Sequence, residues 1–242
     1  MHRSYADNVV VKTTGEKVVL SPEESKHITK VLRMRDGQNI ELCDSAGKAY
    51  IAEILSAEGQ VEVEVIEEID NNEPSKKVVL FQSLSKGTKI DLVIQKAVEL
   101  GVAEIVPVET EFSVVKIKEE SSKIIRWNRI AVEAVKQCKR SVVPKVHEPV
   151  KFQKDLDMMK EYDLSVIAYE CDRKNGYDNL FDREINTVGI MIGPEGGFSE
   201  EEIAEALKKG IKTITLGKRI LRTETAAIAL LAVTMFKLHE LD

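Results

Sequence analysis

The hydrophobic pattern of this chain changes near residue 70, and the change restricts the folds that the chain can adopt. Before residue 70, short alternating runs predict strands at 9–11, 18–20, 40–42, 50–55 and 61–66. The last run is the clearest, because Val61, Val63 and Val65 alternate with polar residues as in a half-buried antiparallel strand. A short helix is expected after Ser21, a favourable N-cap residue. Residues 1–70 are therefore predicted to form a small β-barrel-like domain.

A different pattern follows the polar segment Asp70–Ser75, which is the predicted linker. The predicted strands beyond it are 78–84, 103–108, 164–170, 187–192 and 211–216, and the predicted helices are 88–100, 122–138, 200–209 and 224–239. This alternation predicts an α/β domain with a parallel sheet over residues 74–242. Ligands of such sheets bind beyond the carboxyl ends of the strands, so the loops after Glu170, Ile192 and Leu216 are the expected places for chemistry.

The composition excludes several classes of protein. With 43% apolar and 31% charged residues over 242 positions, the chain is typical of a globular protein and not of a disordered one. The three cysteines lie far apart and the four histidines lack ligand spacing, so neither a disulfide framework nor a metal site is expected. The N-terminus lacks the apolar stretch of a signal peptide, and the longest apolar segment, Ala226–Phe236, is too short to cross a membrane. We expect a soluble cytoplasmic protein with no membrane or metal partner.

The net charge of −6 hides an uneven distribution along the chain. Residues 26–35 contain Lys26, His27, Lys30, Arg33 and Arg35 and no acidic residue. A second stretch, Lys123–Lys145, has seven basic residues and one acidic residue. Two separate basic patches favour an RNA partner, because phosphates attract such clusters. For either patch alone, an ordinary solvated surface is an equally good explanation.

The first informative loop is Gly193–Ser199, which follows the apolar strand predicted at 187–192. Ser199 and Glu202 have the spacing of a capping box, so a helix is expected to begin here. A cap needs one residue and does not explain the three glycines, which permit close backbone approach and positive φ angles. A ligand against this backbone and a purely geometric turn explain the loop equally well.

The second informative loop is Leu216–Thr225, in which Thr223 is the predicted cap of a long final helix. Arg222 and Glu224 then lie at the mouth of that helix, where pairing with each other or with the helix terminus is the commoner use of such residues. The chain has no GxGxxG, no P-loop and no GxSxG motif. Hydride transfer, nucleotide hydrolysis and serine-based hydrolysis are therefore weakly supported.

The two loops resemble the signature of a known family. Gly193–Phe198, Leu216-Gly217 and Ile220–Ala226 are similar to the corresponding segments of the ribosomal RNA small-subunit methyltransferase E family. The resemblance covers essentially the whole chain. It extends to Gln95–Val102, to Trp127 with Glu133, Gln137 and Arg140, to His2-Arg3 and to Val31–Arg35.

The resemblance implies a two-domain enzyme. The N-terminal domain would be a small PUA-like RNA-binding β-barrel, and the C-terminal domain a SPOUT α/β-knot, a trefoil-knotted parallel sheet with helices on both faces. The implied partners are a second copy of the chain and 16S ribosomal RNA or the small ribosomal subunit. The implied reaction transfers a methyl group from S-adenosylmethionine to N3 of a uracil, the family's target being uridine 1498.

The same resemblance implies the cofactor-binding residues. They are Tyr169, Glu170, Ile192, Gly193, Glu195, Gly196, Gly197, Leu216, Gly217, Ile220, Leu221, Arg222, Thr225 and Ala226. Uracil N3 carries a proton, so its methylation needs a general base or a cation that stabilises the developing anion. Arg222 is the first candidate for the stabilising cation, and Glu195 and Glu224 are candidate bases.

RNA contacts are expected from both basic patches. The candidates are Arg3, Lys30, Arg33 and Arg35 in the first domain and Arg126, Arg129, Lys136 and Arg140 in the second. Two other functions stay open on the residues alone. The basic patches by themselves also suit a non-catalytic RNA-binding factor of ribosome assembly, and the glycine-rich loop also suits an enzyme acting on a small nucleotide or phosphorylated metabolite.

Overall fold

The computed structural model describes residues 1–6, 8–113, 122–171, 177 and 180–241. The chain forms two compact units: Met1–Glu73 together with Val135–Val143, and Pro74–Ala134 together with Pro144–Asp242. The sequence pattern assigned 135–143 to the second domain, because helical periodicity does not reveal which unit the end of a helix packs with. The division at 70 and 74 stays a prediction, and its endpoint Asp242 lies outside the described residues.

The first unit contains a mixed five-stranded sheet. Its strands are β1 (Arg3–Ala6), β2 (Lys17–Val19), β3 (Asn39–Asp44), β4 (Ala49–Ser56) and β5 (Glu62–Ile69). They lie in the order β1-β3-β4-β5-β2, with β1 parallel to β3 and the other pairs antiparallel. The alternation that predicted β5 is confirmed, since Val61, Val63 and Val65 are buried in the core of this unit.

At the N-terminus of the first unit, one predicted strand is absent and one observed strand was not predicted. Val9–Val11 is not a strand: the Val11 N–H donates to Asp44 Oδ2 over 3.1 Å instead of joining a sheet ladder. β1 was missed because all four of its residues are buried, so the strand carries no alternating pattern.

The helix expected after Ser21 is present as α1 (Pro22–Lys26), and the Ser21 hydroxyl accepts from the Glu24 N–H as an N-cap. A π-helical turn, His27–Val31, follows it directly. Arg33 then has a φ of +55°, in the left-handed region that non-glycine residues rarely adopt. The chain leaves this turn with Lys30, Arg33 and Arg35 exposed to solvent.

The second unit contains a seven-stranded sheet in which every pair is parallel, as the sequence predicted. Its strands are β6 (Lys77–Ser83), β7 (Glu104–Glu109), β8 (Lys145–Val146), β9 (Val150–Lys151), β10 (Leu164–Ala168), β11 (Thr187–Ile192) and β12 (Lys212–Ile214). They lie in the order β12-β10-β11-β6-β7-β8, and β9 also pairs with β7. The trefoil knot implied by the resemblance stays a prediction.

Helices cover both faces of this sheet. They are α2 (Lys89–Glu99), α3 (Ser122–Cys138), α4 (Phe152–Met159), α5 (Glu200–Lys208) and α6 (Thr223–Lys237). Val79 and Phe81 of β6 pack in one apolar cluster with residues of α4 and α5, whereas α6 packs on β6 and β11 and against α2. The predicted capping box of α5 is confirmed, because Ser199 and Glu202 exchange both hydrogen bonds. Helix α4 was missed, because it has only eight residues and directly follows the two-residue strand β9, so its periodic pattern is short.

An aspartate is buried in α4 without compensation. Asp155 is 0% exposed, and neither of its carboxylate oxygens has a hydrogen-bond partner among the described residues. Burial raises the pKa of Asp155 to about 8. The unfolded chain has the ordinary pKa near 3.8, so the folded state holds a proton there that the unfolded state loses as pH rises.

We predict that this aspartate weakens the fold as pH rises from about 5 to 8. The free energy of unfolding in urea should fall with pH for the unchanged protein but not for Asp155→Asn. The difference between the two proteins should therefore grow by up to about 1.4 kcal/mol per pH unit over this range. Asp157→Asn, on the exposed side of the same helix, is the control; the pKa of Asp157 is lowered by its hydrogen bond from Lys209, so its effect should be flat over this range. If the free energy of unfolding changes with pH in the same way for all three proteins, Asp155 is not buried in its protonated form.

Candidate functional site

A cleft opens at the carboxyl edge of the parallel sheet, where the loops after β6, β10, β11 and β12 meet. Its volume is about 340 Å³, at the lower end of the range of small-molecule sites. The lining residues are Lys89, Ala168, Glu170, Ile192, Gly193, Pro194, Glu195, Gly197, Phe198, Ile220, Leu221, Arg222, Thr223 and Ala226. The two loops singled out by sequence therefore face one cavity.

A smaller hollow of about 80 Å³ adjoins the cleft and shares Glu170, Ile220 and Leu221 with it. Tyr169, Leu216 and Gly217 line this hollow. Of the predicted cofactor-binding residues, the structure thus brings all but Gly196 and Thr225 to one of the two cavities.

The glycines of the first loop allow close contacts inside the loop and with its neighbours. A Cβ atom on Gly193 would lie 2.9 Å from the Phe198 ring, and one on Gly196 would lie 3.1 Å from Phe112. Gly197 has a φ of +72°, and a Cβ atom there would lie 2.9 Å from Glu170 Oε1. Gly197 therefore gives the Glu170 carboxylate room at the cleft.

Two hydrogen bonds of Thr223 connect the second loop to the first. The Thr223 hydroxyl donates to the Gly193 carbonyl over 2.7 Å and accepts from Gln82 Nε2 over 3.0 Å. Thr223 is consequently not the cap of α6: Arg222 occupies the N-cap position, and its side chain makes no capping hydrogen bond. Sequence reasoning missed Gln82, although a polar residue inside the apolar strand β6 was an available signal that a buried partner exists.

Besides Glu170, the charged residues that line the cleft are Lys89, Glu195 and Arg222. Arg222 is exposed and lines the cleft, and Glu195 Oε1 lies 2.6 Å from Nζ of Lys89, the first residue of α2. Partial burial alone would raise the pKa of Glu195, but hydrogen bonds from Lys89 and from backbone N–H groups hold that pKa below its usual value. Glu224 does not line the cleft, and its Oε2 atom is buried without a hydrogen-bond partner among the described residues.

Sequence reasoning missed Lys89 because nothing local distinguishes it from the surface lysines around it. No group of three or more histidine, cysteine, aspartate or glutamate side chains within the described ranges is arranged to hold a metal ion. The helices that the structure describes include none with the length and apolarity needed to cross a membrane.

The basic surface of the first unit is smaller than the sequence suggested. Lys30, Arg33 and Arg35 are exposed around the π-helical turn, and we call these three residues the basic loop. Arg3 is only 5% exposed, because its guanidinium donates to Glu41 Oε2 over 2.8 Å and to the Lys139 carbonyl. The structure therefore assigns Arg3 an internal ion pair, and its phosphate contact stays a prediction.

The predicted cations of the second patch divide in the same way. Arg140 is 5% exposed and pairs with Glu73 over 2.6 Å, so its charge is also engaged in an internal ion pair, and its RNA contact stays a prediction. Lys136 pairs with the buried carboxylate of Glu24. Arg126 and Arg129 of α3 keep more than half of their side-chain surface exposed. Exposure thus separates the structural cations from those that RNA can reach.

Comparisons with known proteins match both parts of the chain. Residues 71–235 match the family described as RNA methyltransferase domain, and residues 20–66 match the RNA methyltransferase PUA domain. The chain is 36% identical to the ribosomal RNA small subunit methyltransferase E of Bacillus subtilis, with 90% of this chain and 89% of that protein covered. It is 38% identical to the protein of the same name from Mesomycoplasma hyopneumoniae, with 78% and 82% covered.

A solved structure shares the whole fold. It is that of a ribosomal RNA small subunit methyltransferase E from Neisseria gonorrhoeae bound to S-adenosyl methionine, with a TM-score of 0.84 and 34% identity. The alignment covers 98% of this chain and 97% of that one. The matched domains include both of the loops that form the cleft. By the family match and the sequence identity, the chain belongs to the ribosomal RNA small subunit methyltransferase E family.

Proposed function

We propose that this protein transfers a methyl group from S-adenosylmethionine to N3 of a uracil in 16S ribosomal RNA, the family's target uridine 1498. We further propose that it does so in the cytoplasm, as a homodimer. The observation that carries the proposal is the cleft formed by two loops that Thr223 holds together. The Neisseria gonorrhoeae relative, 34% identical over nearly the whole chain, was solved with S-adenosyl methionine bound and supports the assignment.

The residues of the cleft suit this cofactor. Ile192, Ile220 and Leu221 provide apolar surface for the adenine, and Glu170, two residues after β10, places a carboxylate where ribose hydroxyls can donate to it. Gly217 has a φ of +102° with open space beside it, so its backbone is free to approach a ligand. When bound, S-adenosylmethionine supplies a methyl group already activated by its sulfonium charge, and the protein must chiefly position the two reactants.

Arg222 is the proposed stabiliser of the substrate anion. Uracil N3 becomes nucleophilic when its proton leaves, and a guanidinium in the cleft stabilises the negative charge that remains. Glu195 and Glu224 were the candidate bases. The lowered pKa of Glu195 makes it a weak proton acceptor, and Glu224 lies outside the cleft lining. These positions favour charge stabilisation by cations over proton removal by a carboxylate.

The first test is methyl transfer to 16S ribosomal RNA by Arg222→Ala. We expect its turnover to fall by roughly 10²–10³-fold, because one charge-stabilising donor is lost. Its affinity for S-adenosylmethionine, measured by calorimetry, should fall far less than its turnover, although Arg222 also lines the cofactor cleft. Lys218→Ala is the matched control, since Lys218 is an exposed cation of the same loop that does not line the cleft. Near-normal turnover of Arg222→Ala would remove this residue from the mechanism.

A second test uses the contact between Gly197 and Glu170. Gly197→Ala should weaken binding of S-adenosylmethionine by roughly tenfold or more, because the added methyl displaces the Glu170 carboxylate and its hydrogen bond. Gly210→Ala is the control: Gly210 also has a positive φ, +81°, but a Cβ atom there meets nothing within 4 Å. An alanine at a positive φ destabilises either variant by a similar amount, about 1–2 kcal/mol. Equal cofactor affinities in the two variants would contradict the assigned role of Glu170.

A third test concerns RNA binding through the basic loop together with Arg126 and Arg129. Affinity for a single-stranded 16S fragment should fall steeply as salt rises, because bound phosphates release counterions. Arg33→Ala should lower the slope of log affinity against log salt by about 0.7. Lys17→Ala, which removes an exposed lysine on β2, should leave the slope unchanged. A flat salt response of the unchanged protein would refute the electrostatic contact.

A further inference from the structure

The cleft contains a cation that the site prediction did not include. Lys89 begins α2, lines the same cleft as Arg222, and pairs with Glu195 over 2.6 Å. The two side chains are 32% and 39% exposed, so the pair lies at the open rim and not in the core. A partly exposed ion pair contributes little to stability, which leaves the pairing of these two residues unexplained by folding alone.

Glu195 is held by the Lys89 ammonium, which donates to Glu195 Oε1 over 2.6 Å. Partial burial alone would raise the pKa of Glu195, but this hydrogen bond holds that pKa below its usual value. Glu195 lies in the loop after β11, and Lys89 begins the helix that follows β6. The carboxylate therefore connects these two segments and sets the position of the Lys89 ammonium over the cleft.

The proposed substrate needs two sites of positive charge. Loss of the N3 proton from uracil leaves a negative charge shared between N3 and the two carbonyl oxygens that flank it. Arg222 approaches the cleft from the start of α6, and Lys89 from the start of α2. Two cations on separate elements can serve two oxygens on opposite sides of one nitrogen.

We propose that Lys89 is a catalytic residue that hydrogen-bonds one of these carbonyl oxygens while Arg222 stabilises the other, and that Glu195 is a positioning residue for Lys89. This inference rests on the proposed function. The N3–H bond breaks and its proton passes to solvent water at the open rim. The electron pair left on N3 forms the bond to the methyl carbon, and the carbon–sulfur bond breaks with its pair staying on sulfur.

The test compares Lys89→Met with Lys86→Met on 16S RNA transcripts that contain uridine or 5-fluorouridine. Lys86 is an exposed lysine three residues before Lys89 that does not line the cleft. On uridine RNA, we expect turnover to fall roughly 10²–10³-fold in Lys89→Met and to stay near normal in Lys86→Met. Calorimetry with S-adenosylmethionine should give similar affinities for both variants, which also shows that both are folded.

The fluorinated RNA separates charge stabilisation from a structural effect. Fluorine at C5 makes the N3 proton more acidic, so the fluorinated RNA should need less help from a cation. The ratio of turnover on 5-fluorouridine RNA to turnover on uridine RNA should therefore be at least roughly tenfold larger for Lys89→Met than for the unchanged protein. Glu195→Gln should lose less turnover than Lys89→Met, because Glu195 only positions Lys89. Removal of a general base would instead lower turnover by roughly 10²–10⁴-fold. Equal activity of Lys89→Met and the unchanged protein, or no selective recovery with 5-fluorouridine, would overturn the role of Lys89. Absence of methyl transfer by the unchanged protein itself would instead overturn the proposed function.

Discussion

The hydroxyl of Thr223 makes the two hydrogen bonds on which the geometry of the cleft depends. It donates to the Gly193 carbonyl and accepts from the buried amide of Gln82, so it joins the start of α6 to the end of β11 and to β6. Gln82 and Ile192 are directly paired because β6 and β11 are neighbours in the sheet. Removing a buried hydrogen-bond partner costs about 1–3 kcal/mol, so this arrangement is a strong local constraint. It adds to the packing of α6 on β6 and β11 and fixes the start of α6, which carries Arg222, against the glycine-rich loop.

Charge in this protein has two uses that burial distinguishes. Arg3 and Arg140 are nearly inaccessible and neutralise Glu41 and Glu73 inside the first unit. Buried cations of this kind need a carboxylate partner, because an unpaired charge away from water is very unfavourable. The cations of the cleft are only partly enclosed. Lys89 and Arg222 therefore keep charged surface that a ligand in the cleft can contact.

Local patterns in the sequence were sufficient where a structural feature is itself local. The alternation of Val61, Val63 and Val65 identified β5, and the capping box of Ser199 identified the start of α5. The two informative loops were also predicted from the sequence, because each is a continuous segment with its own recognisable residues. The resemblance then gave most of the residues that line the two cavities.

The features that sequence reasoning missed depend on contacts between distant parts of the chain. Arg3 and Arg140 were counted as surface charges because their carboxylate partners lie 38 and 67 residues away. Gln82 reaches Thr223, and Lys89 reaches the cleft, because β6 lies beside β11, an order that periodicity does not encode. Val9–Val11 shows the reverse error, since a short apolar run predicts a strand whether or not a neighbouring strand has room for it.

The central claim is that this cleft methylates N3 of one uracil in 16S ribosomal RNA. The most direct measurement is nucleoside mass spectrometry of 16S ribosomal RNA fragments from cells with and without the gene. The account predicts that one N3-methyluridine is lost on deletion and is restored by a plasmid copy of the unchanged gene. An identical set of methylated uridines in both strains would contradict it.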